Sequence, residues 1–280
     1  MAKSKKTVVI ERIYQQLLKD DGSGLSRTVV TNNDVVDAIN WCKNNLGSSL
    51  SSNNPANFLK DVIRGKNASA MWPDSLKDAR IGARQVTGDG RVFEFWPYAE
   101  GQTQPFPDRF GFHAEVQRHS IQSVSMPMAS KALGRDDETY LIQVAVKLNI
   151  VETHFALYSP INVIELNHLQ IGIKLRLCEV DSLFAATYLD EIGNTNRLVI
   201  TAEAKKKNQR ILEEQVMQQV LAAFQETSVD LVVPIALTAV TGGIYLAEFK
   251  AVKRDELESF EELTLETERL YELLPAVKGI

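Results

Sequence analysis

Glu179 to Gln219 reads EVDSLFAATYLDEIGNTNRLVITAEAKKKNQRILEEQVMQQ, and the rest of the chain is organised around it. Its first arm, Glu179 to Leu189, is rich in apolar, aromatic and Thr residues, and its second, Arg197 to Ala204, is the β-branched run RLVITAEA. Between them, DEIGNTN gathers the Gly, Asn and Asp residues that tolerate positive φ. The stretch therefore predicts a β-hairpin running into a helix. With a turn centred near Gly193–Asn194, antiparallel pairing sets Glu203 opposite about Phe184 and Lys205 opposite about Leu183–Asp181. Asp181 is then the acid nearest to both.

Side chains two apart on a strand share a face, so Glu203 and Lys205 point the same way, with Ala204 on the other side. Two carboxylates and an ammonium are thus expected at one end of the hairpin. Carboxylates suit hard divalent cations, and Mg²⁺ takes one or two of them together with waters and phosphate oxygens. A lysine beside such a cation can orient a water or stabilise charge developing on phosphorus. The bland alternative is an amphipathic hairpin with solvated charges.

The pattern resembles the PD-(D/E)XK nuclease superfamily, the core of many type II restriction endonucleases, over roughly the second half of the chain. The resemblance implies that Asp181 is the first acid, that Glu203 and Lys205 form the E-x-K, and that Gln215 is the glutamine of the following helix. Asp181 and Glu203 would be the metal ligands and Mg²⁺ the cofactor. Val180 stands where that family has proline, and Glu179 and Asp190 remain rivals for the first acid.

The 280 residues allow about two domains, and 44% hydrophobic with 24% charged content is ordinary for a globular protein. No apolar run approaches the roughly 18 residues that span a bilayer. The basic N-terminus meets Glu11 and Arg12 before any signal-peptide core develops, so a soluble, cytoplasmic protein without membrane contact is expected. Cys42 and Cys178 form no C-x-x-C pair, which speaks against zinc fingers and a disulfide scaffold; both read as small buried residues. The net charge of −5 is uneven: residues 1–125 carry 16 Lys+Arg and 13 Asp+Glu, or +3, leaving −8 for residues 126–280. A mildly basic first half is compatible with phosphate contacts.

Residues 1–125 predict three helices followed by a hairpin. Thr7–Lys19 has apolar Val8, Val9, Ile13, Leu17 and Leu18 at helical spacing; DVVDAINWCKNNLG follows Asn32/Asn33 as cap; Pro55 opens ANFLKDVIRG; and Gly88-Asp89-Gly90 separates two extended runs. This is the order of a winged helix-turn-helix, whose third helix enters the major groove. The outward residues there would be Asn54, Asn57, Lys60 and Arg64, with Arg80, Arg84 and Arg91 on or near the wing. Plain protein packing is the competing reading. The Pro- and Gly-containing stretch 97–127 is the expected connection, and its His113 and His119 lack any ligand pattern.

In residues 126–280, Arg135-Asp136-Asp137-Glu138 precedes an expected helix through Leu157, with Glu138 and Glu152 as further acids that spacing does not support. Alternation at Ile171, Ile173, Leu175 and Leu177 predicts a strand leading into the hairpin. After Lys205, the basic run Lys206, Lys207 and Arg210 opens an expected helix through Phe224, with Leu212, Val216, Val220 and Phe224 as its apolar stripe. VDLVVPIALTAV and GGIYLAEFKAV read as two more strands, and Asp255–Leu274 as an acidic helix. No G-x-x-x-x-G-K-[ST], G-x-G-x-x-G, G-x-S-x-G or H-E-x-x-H occurs, so no nucleotide cofactor is expected.

The expected whole is an α/β (α+β) protein: a restriction-endonuclease-like mixed sheet flanked by helices at 126–280, and a smaller winged-helix-like recognition domain at 1–125. It would be a Mg²⁺-dependent, site-specific endonuclease on double-stranded DNA, acting as a homodimer because two strands need two sites. The alternative is a winged-helix transcription regulator with a non-catalytic α/β sensor domain, or an interaction protein with an inactive nuclease-like fold.

Overall fold

A computed structural model describes residues 3–22, 24–65, 67–86, 89–174 and 179–280. Leu175, Leu177 and Cys178 of the expected strand, and Gly88 of the expected turn, lie outside the described residues. The chain divides into two compact units, residues 1–109 and 110–280. The boundary expected at 125/126 falls earlier because residues 118–122 form a strand of the second unit's sheet. Overall the protein is mixed α/β, with one eight-stranded mixed sheet flanked by helices.

In the first unit, α1 (Lys5–Leu17) starts where the Ser4 hydroxyl accepts from Thr7 N at 3.0 Å, and it buries Val9, Ile10, Ile13 and Leu17. Strand β1 (Val29–Thr31) then leads into α2 (Asn32–Leu46). Thr31, rather than Asn32 or Asn33, caps α2: its hydroxyl accepts from Asp34 N while the Asp34 carboxylate accepts from Thr31 N, a capping box. Gly47 ends the helix at φ 63°, a conformation a Cβ would strain.

After a short 3₁₀ turn at Pro55–Asn57, α3 (Phe58–Ile63) buries Phe58, Leu59, Val62 and Ile63. Two further short helices, α4 (Ala68–Met71) and α5 (Asp74–Asp78), precede the expected hairpin of β2 (Ile81–Gln85) and β3 (Arg91–Pro97). The three strands pair in the order β1-β3-β2. Phe93 and Phe95 of β3 are buried, and Trp72 anchors the approach to β2 by donating from Nε1 to Ile81 O at 2.7 Å.

The second unit opens with β4 (Arg118–Gln122) and α6 (Met128–Ala132). The helix expected up to Leu157 is two: α7 (Glu138–Lys147), capped by Asp137, and α8 (Ile150–Leu157). Asn149 separates them with a left-handed φ of 52°, one of the few conformations Asn adopts more readily than other residues. There follow β5 (Val163–Lys174), β6 (Glu179–Leu189), β7 (Thr195–Lys205), α9 (Glu213–Glu226), β8 (Leu231–Val240), β9 (Gly243–Phe249), the two-residue β10 (Val252–Lys253) and β11 (Leu265–Leu274). The sheet order is β4-β11-β9-β8-β7-β6-β5, with β10 pairing β8. The β7–β8 and β11–β4 pairs are parallel and the others antiparallel.

Alternation sorts the strands onto two faces. Leu198, Ile200, Ala202 and Ala204 of β7 join Val233, Ile235 and Leu237 of β8 under α7 and α8. Val199 and Val232 meet Val220, Ala223 and Phe224 of α9 on the opposite face. Both faces being covered, β8 is buried from Leu231 to Ala239.

Two expectations are corrected. Asp255–Leu274 holds a short 3₁₀ segment (Arg254–Ser259) and then β11, a strand and not an acidic helix. β11 is paired on both edges, with Tyr271 and Leu273 packed on the α7/α8 face and Leu270 on the other. At Leu270 and Tyr271 the strand is buried on both faces and loses its period of two, and Leu270, Leu273 and Leu274 then coincide with helical spacing. The helix after Lys205 begins at Glu213, not at the basic run, because Asn208 at φ 68° turns the chain first; Glu213 and Glu214 then occupy the first turn, where acids suit the helix dipole.

A polar network ties the α8 side to the sheet. His154, fully buried, contacts Glu248 Oε2 through Nε2 and the Tyr271 hydroxyl through Nδ1, each at 2.9 Å, and Ser159 donates to Glu248 Oε1 at 2.7 Å. Four groups on β9, β11 and around α8 thus satisfy one another away from water. Removing the carboxylate would leave His154 Nε2 and the Ser159 hydroxyl without the partner they share, so Glu248→Ala is expected to lower unfolding free energy by about 3 kcal/mol, measured by urea denaturation; a loss below about 1 kcal/mol would refute a closed network.

Candidate functional site

The β6–β7 hairpin turns around Ile192, between the Asp190 N–H to Asn194 O and Gly193 N–H to Asp190 O hydrogen bonds. Observed pairs run from Leu189↔Thr195 to Ser182↔Ala202. This register differs by three residues from the expected one, because the turn is centred earlier. Continued by one pair, it sets Asp181 level with Glu203, not Phe184. The ladder ends there because a side chain takes over: Asp181 Oδ2 accepts from Ala204 N at 2.8 Å.

Glu203 is 2% exposed and Lys205 5%. They form an ion pair through Lys205 Nζ and Glu203 Oε1. From α9, Gln219 donates through Nε2 to Glu203 Oε2 and is itself buried. Gln215, expected in this place, sits in the first turn of α9, part-exposed, one turn before the residue that reaches Glu203. The shift follows from the late helix start. The acidic pair Glu213-Glu214 is the sequence signal that could have found it.

Burial, the nearby Glu203 charge and, more weakly, Glu138 push the Asp181 carboxyl up to about 7, against the Ala204 N–H and Lys205, which pull it down. Glu138, in the first turn of α7, is therefore within electrostatic reach of the site, a contact that spacing alone did not support. The rivals to Asp181 are placed elsewhere. Asp190 is consumed by the turn, accepting from the backbone of Ile192 and Asn194 and the side chains of Asn194 and Asn196; these bonds, led by the Asn194 N–H, lower its carboxyl. Glu179 is exposed and pairs in register with Lys174.

Of the basic run after the site, Lys207 is exposed, Lys206 half-buried and Arg210 buried. His113 lies between Glu115 and Glu268, and His119 contacts the Tyr158 hydroxyl at 2.7 Å. Among the described residues, no group of three or more His, Cys, Asp and Glu is arranged to hold a metal ion. Asp181 and Glu203 form instead a pair of carboxylates on neighbouring strands, which fits a cation that takes one or two carboxylates and completes its shell with water and phosphate oxygens.

In the first unit, Asn54, Asn57 and Arg64 are exposed at and after the 3₁₀ turn and at the end of α3, and Lys60 is half-buried. Arg84 stacks 3.5 Å over Trp96 and pairs with Glu94 at 2.9 Å, so the sheet already engages it. Arg91 is exposed, 3.6 Å from Asp89, and Arg80 lies 5.4 Å over the Tyr98 ring. No helix among the described residues is long and apolar enough to cross a membrane.

The raised Asp181 carboxyl has a signed consequence. Between an unfolded value of about 4 and about 7 in the fold, the folded protein holds a proton that the unfolded chain has lost. Stability contributed below that window is lost as pH rises through it. In EDTA, denaturation midpoints are expected to fall from pH 5 to 8, and Asp181→Asn, neutral throughout, to flatten the decline; an unchanged slope in the variant would place the titration elsewhere. Comparison of the chain with protein-family models, with curated proteins and with solved structures finds no match in any of the three.

Proposed function

We propose that this protein is a Mg²⁺-dependent endonuclease of the restriction type, hydrolysing phosphodiester bonds in double-stranded DNA. The observation that carries the reading is that Asp181 Oδ2 accepts from the N–H of Ala204, between Glu203 and Lys205, whose charges both act on it, and that both members of the Glu203–Lys205 ion pair are nearly shut off from water. A buried ion pair stabilises a fold little or not at all against an apolar replacement, which turns attention to chemistry. Support comes also from the element order: α7 ahead of the β5-β6-β7 meander, and the α9 crossover to parallel β8, the arrangement expected of a PD-(D/E)XK core.

In this reading Asp181 and Glu203 would hold Mg²⁺, which supplies charge neutralisation at the scissile phosphate. Lys205 Nζ orients the attacking water, and Gln219 fixes the second oxygen of Glu203. The water oxygen bonds to phosphorus as the bond to the departing oxygen breaks; one water proton is lost to solvent and the departing oxygen takes one up. Asn54, Asn57, Lys60 and Arg64 would face the duplex. The first unit's order of α1, β1, α2, α3, the short α4 and α5, β2 and β3, with its three-stranded sheet, suits a winged-helix reader with two short helices added before the wing. Cutting both strands calls for a homodimer.

The test is incubation with unmethylated phage DNA, with Mg²⁺ or with EDTA, beside Lys205→Ala and Asp181→Ala. Discrete fragments that require Mg²⁺, with activity falling at least about 100-fold in each variant, are expected. Sequence-specific binding by folded protein without cleavage would instead favour a regulator. In fluorescence anisotropy over a salt series, Arg64→Ala should weaken DNA binding and, if it meets a phosphate, shallow the slope of log K against log salt by about 1; unchanged binding would remove α3 from the interface.

A further inference from the structure

Around the Lys205–Glu203 pair, the α9 face carries polar atoms that the protein leaves without a partner. Thr201, Glu203 and Lys205 alternate onto that face of β7. Thr238 of β8 stands beside Lys205 in the parallel register, two residues past Ala236, the neighbour of Glu203. Thr238 is 8% exposed, Gln219 1% and Thr201 fully buried, yet Thr238 Oγ1, Gln219 Oε1 and Thr201 Oγ1 find no hydrogen-bond partner among the described protein groups. Leaving a buried hydroxyl or amide oxygen unpaired is destabilising, and such atoms are uncommon in native folds. Three of them fall on one face about a buried ion pair, where they leave hydrogen-bonding capacity that a polar guest could take up.

The donor and acceptor inventory says which guest. Gln219 directs its amide nitrogen at Glu203, so its carbonyl oxygen is an acceptor. The Thr238 hydroxyl can accept as well, and the Lys205 ammonium has three N–H groups, of which Glu203 takes one. A water molecule has two protons and two lone pairs. Donating to Gln219 Oε1 and Thr238 Oγ1 and accepting from Lys205 Nζ, it would keep one lone pair for attack.

We propose that Thr238 and Gln219, with Lys205, hold the nucleophilic water of the hydrolysis, Thr238 being a water-holding residue supplied by the strand next to the E-x-K strand. This rests on the nuclease reading above. The water contributes its oxygen to the new P–O bond, one proton goes to solvent, and the departing oxygen recovers one from solvent, so only water is consumed. Thr201, deeper on the same face, lies outside the contact set.

The test pairs activity with stability in the full chain. Thr238→Val replaces an unpartnered hydroxyl by a methyl group of similar shape and is expected to leave the melting temperature unchanged or raised. The same variant should lower kcat for Mg²⁺-dependent cleavage by about 100-fold, the effect expected from a mispositioned reactant, with KM for DNA unchanged. Thr238→Ser keeps the hydroxyl and should restore most of kcat. Wild-type kcat in Thr238→Val would overturn the assignment while leaving the nuclease reading in place. A drop in melting temperature together with activity, without rescue by serine, would overturn it too, by making Thr238 structural. Absence of Mg²⁺-dependent cleavage in folded wild-type protein would remove the nuclease reading itself and the inference with it.

Discussion

Lys205 and Glu203 sit two residues apart at the end of β7, each almost closed to solvent, and each is tolerable there only because of the other. Taking two charges from water costs several kcal/mol per ion, and attraction within the pair offsets that only with good geometry and further hydrogen bonds. Gln219 supplies one of these bonds, on the Glu203 oxygen that Lys205 leaves open. That demand fixes the position of α9: its Val216, Val220, Ala223 and Phe224 pack the sheet so that Gln219 arrives over Glu203. The crossover from β7 to parallel β8 is thus held by an apolar stripe and by one polar requirement at once.

The second constraint is the hairpin register. A turn centred on Ile192, built by the four acceptor contacts of Asp190, sets a register that runs to Ser182↔Ala202 and leaves Asp181 to accept from Ala204 N. A slip of a single residue would turn Asp181 to the opposite face. Asp190 and Asp181 therefore divide the work of the hairpin: one carboxylate sets the register at the turn, the other occupies the far end. The opposing shifts of their carboxyls, lowered at the turn by hydrogen bonds and raised at the site by burial, express that division in electrostatic terms.

Much of the architecture was legible because local signals agreed with the final packing. The hairpin, the strand before it, the α9 stripe and the two strands after it all follow from period and turn chemistry, as do the three N-terminal helices and the β2–β3 hairpin. The misreadings share a physical cause, long-range pairing that local pattern does not carry. β11 is a strand because β9 and β4 flank it, and β4 lies in a Pro- and Gly-containing stretch whose partner is about 150 residues away. Of the candidate site, the shared face of Glu203 and Lys205 was readable from alternation, Asp181 was reached through a register three residues off, and Gln219 required the start of α9 to be known to within a turn. The His154–Glu248–Tyr271–Ser159 network left no sequence signal, since its four members come from three separate regions.

The two buried polar clusters of the sheet differ in how completely the protein satisfies their hydrogen bonds. On the α8 side, each of the four groups meets another, and both oxygens of Glu248 are taken. Such a closed set rigidifies the packing of β9 and β11 and leaves nothing to offer a ligand. On the α9 side, the ion pair is partnered but Thr201, Gln219 and Thr238 each keep a polar atom without a protein partner. Selection for stability alone would fill that face with valine and leucine, as it has filled the neighbouring positions Val199 and Val232. On the proposed reading, the polar atoms left unpaired beside the buried lysine are hydrogen bonds reserved for a reactant.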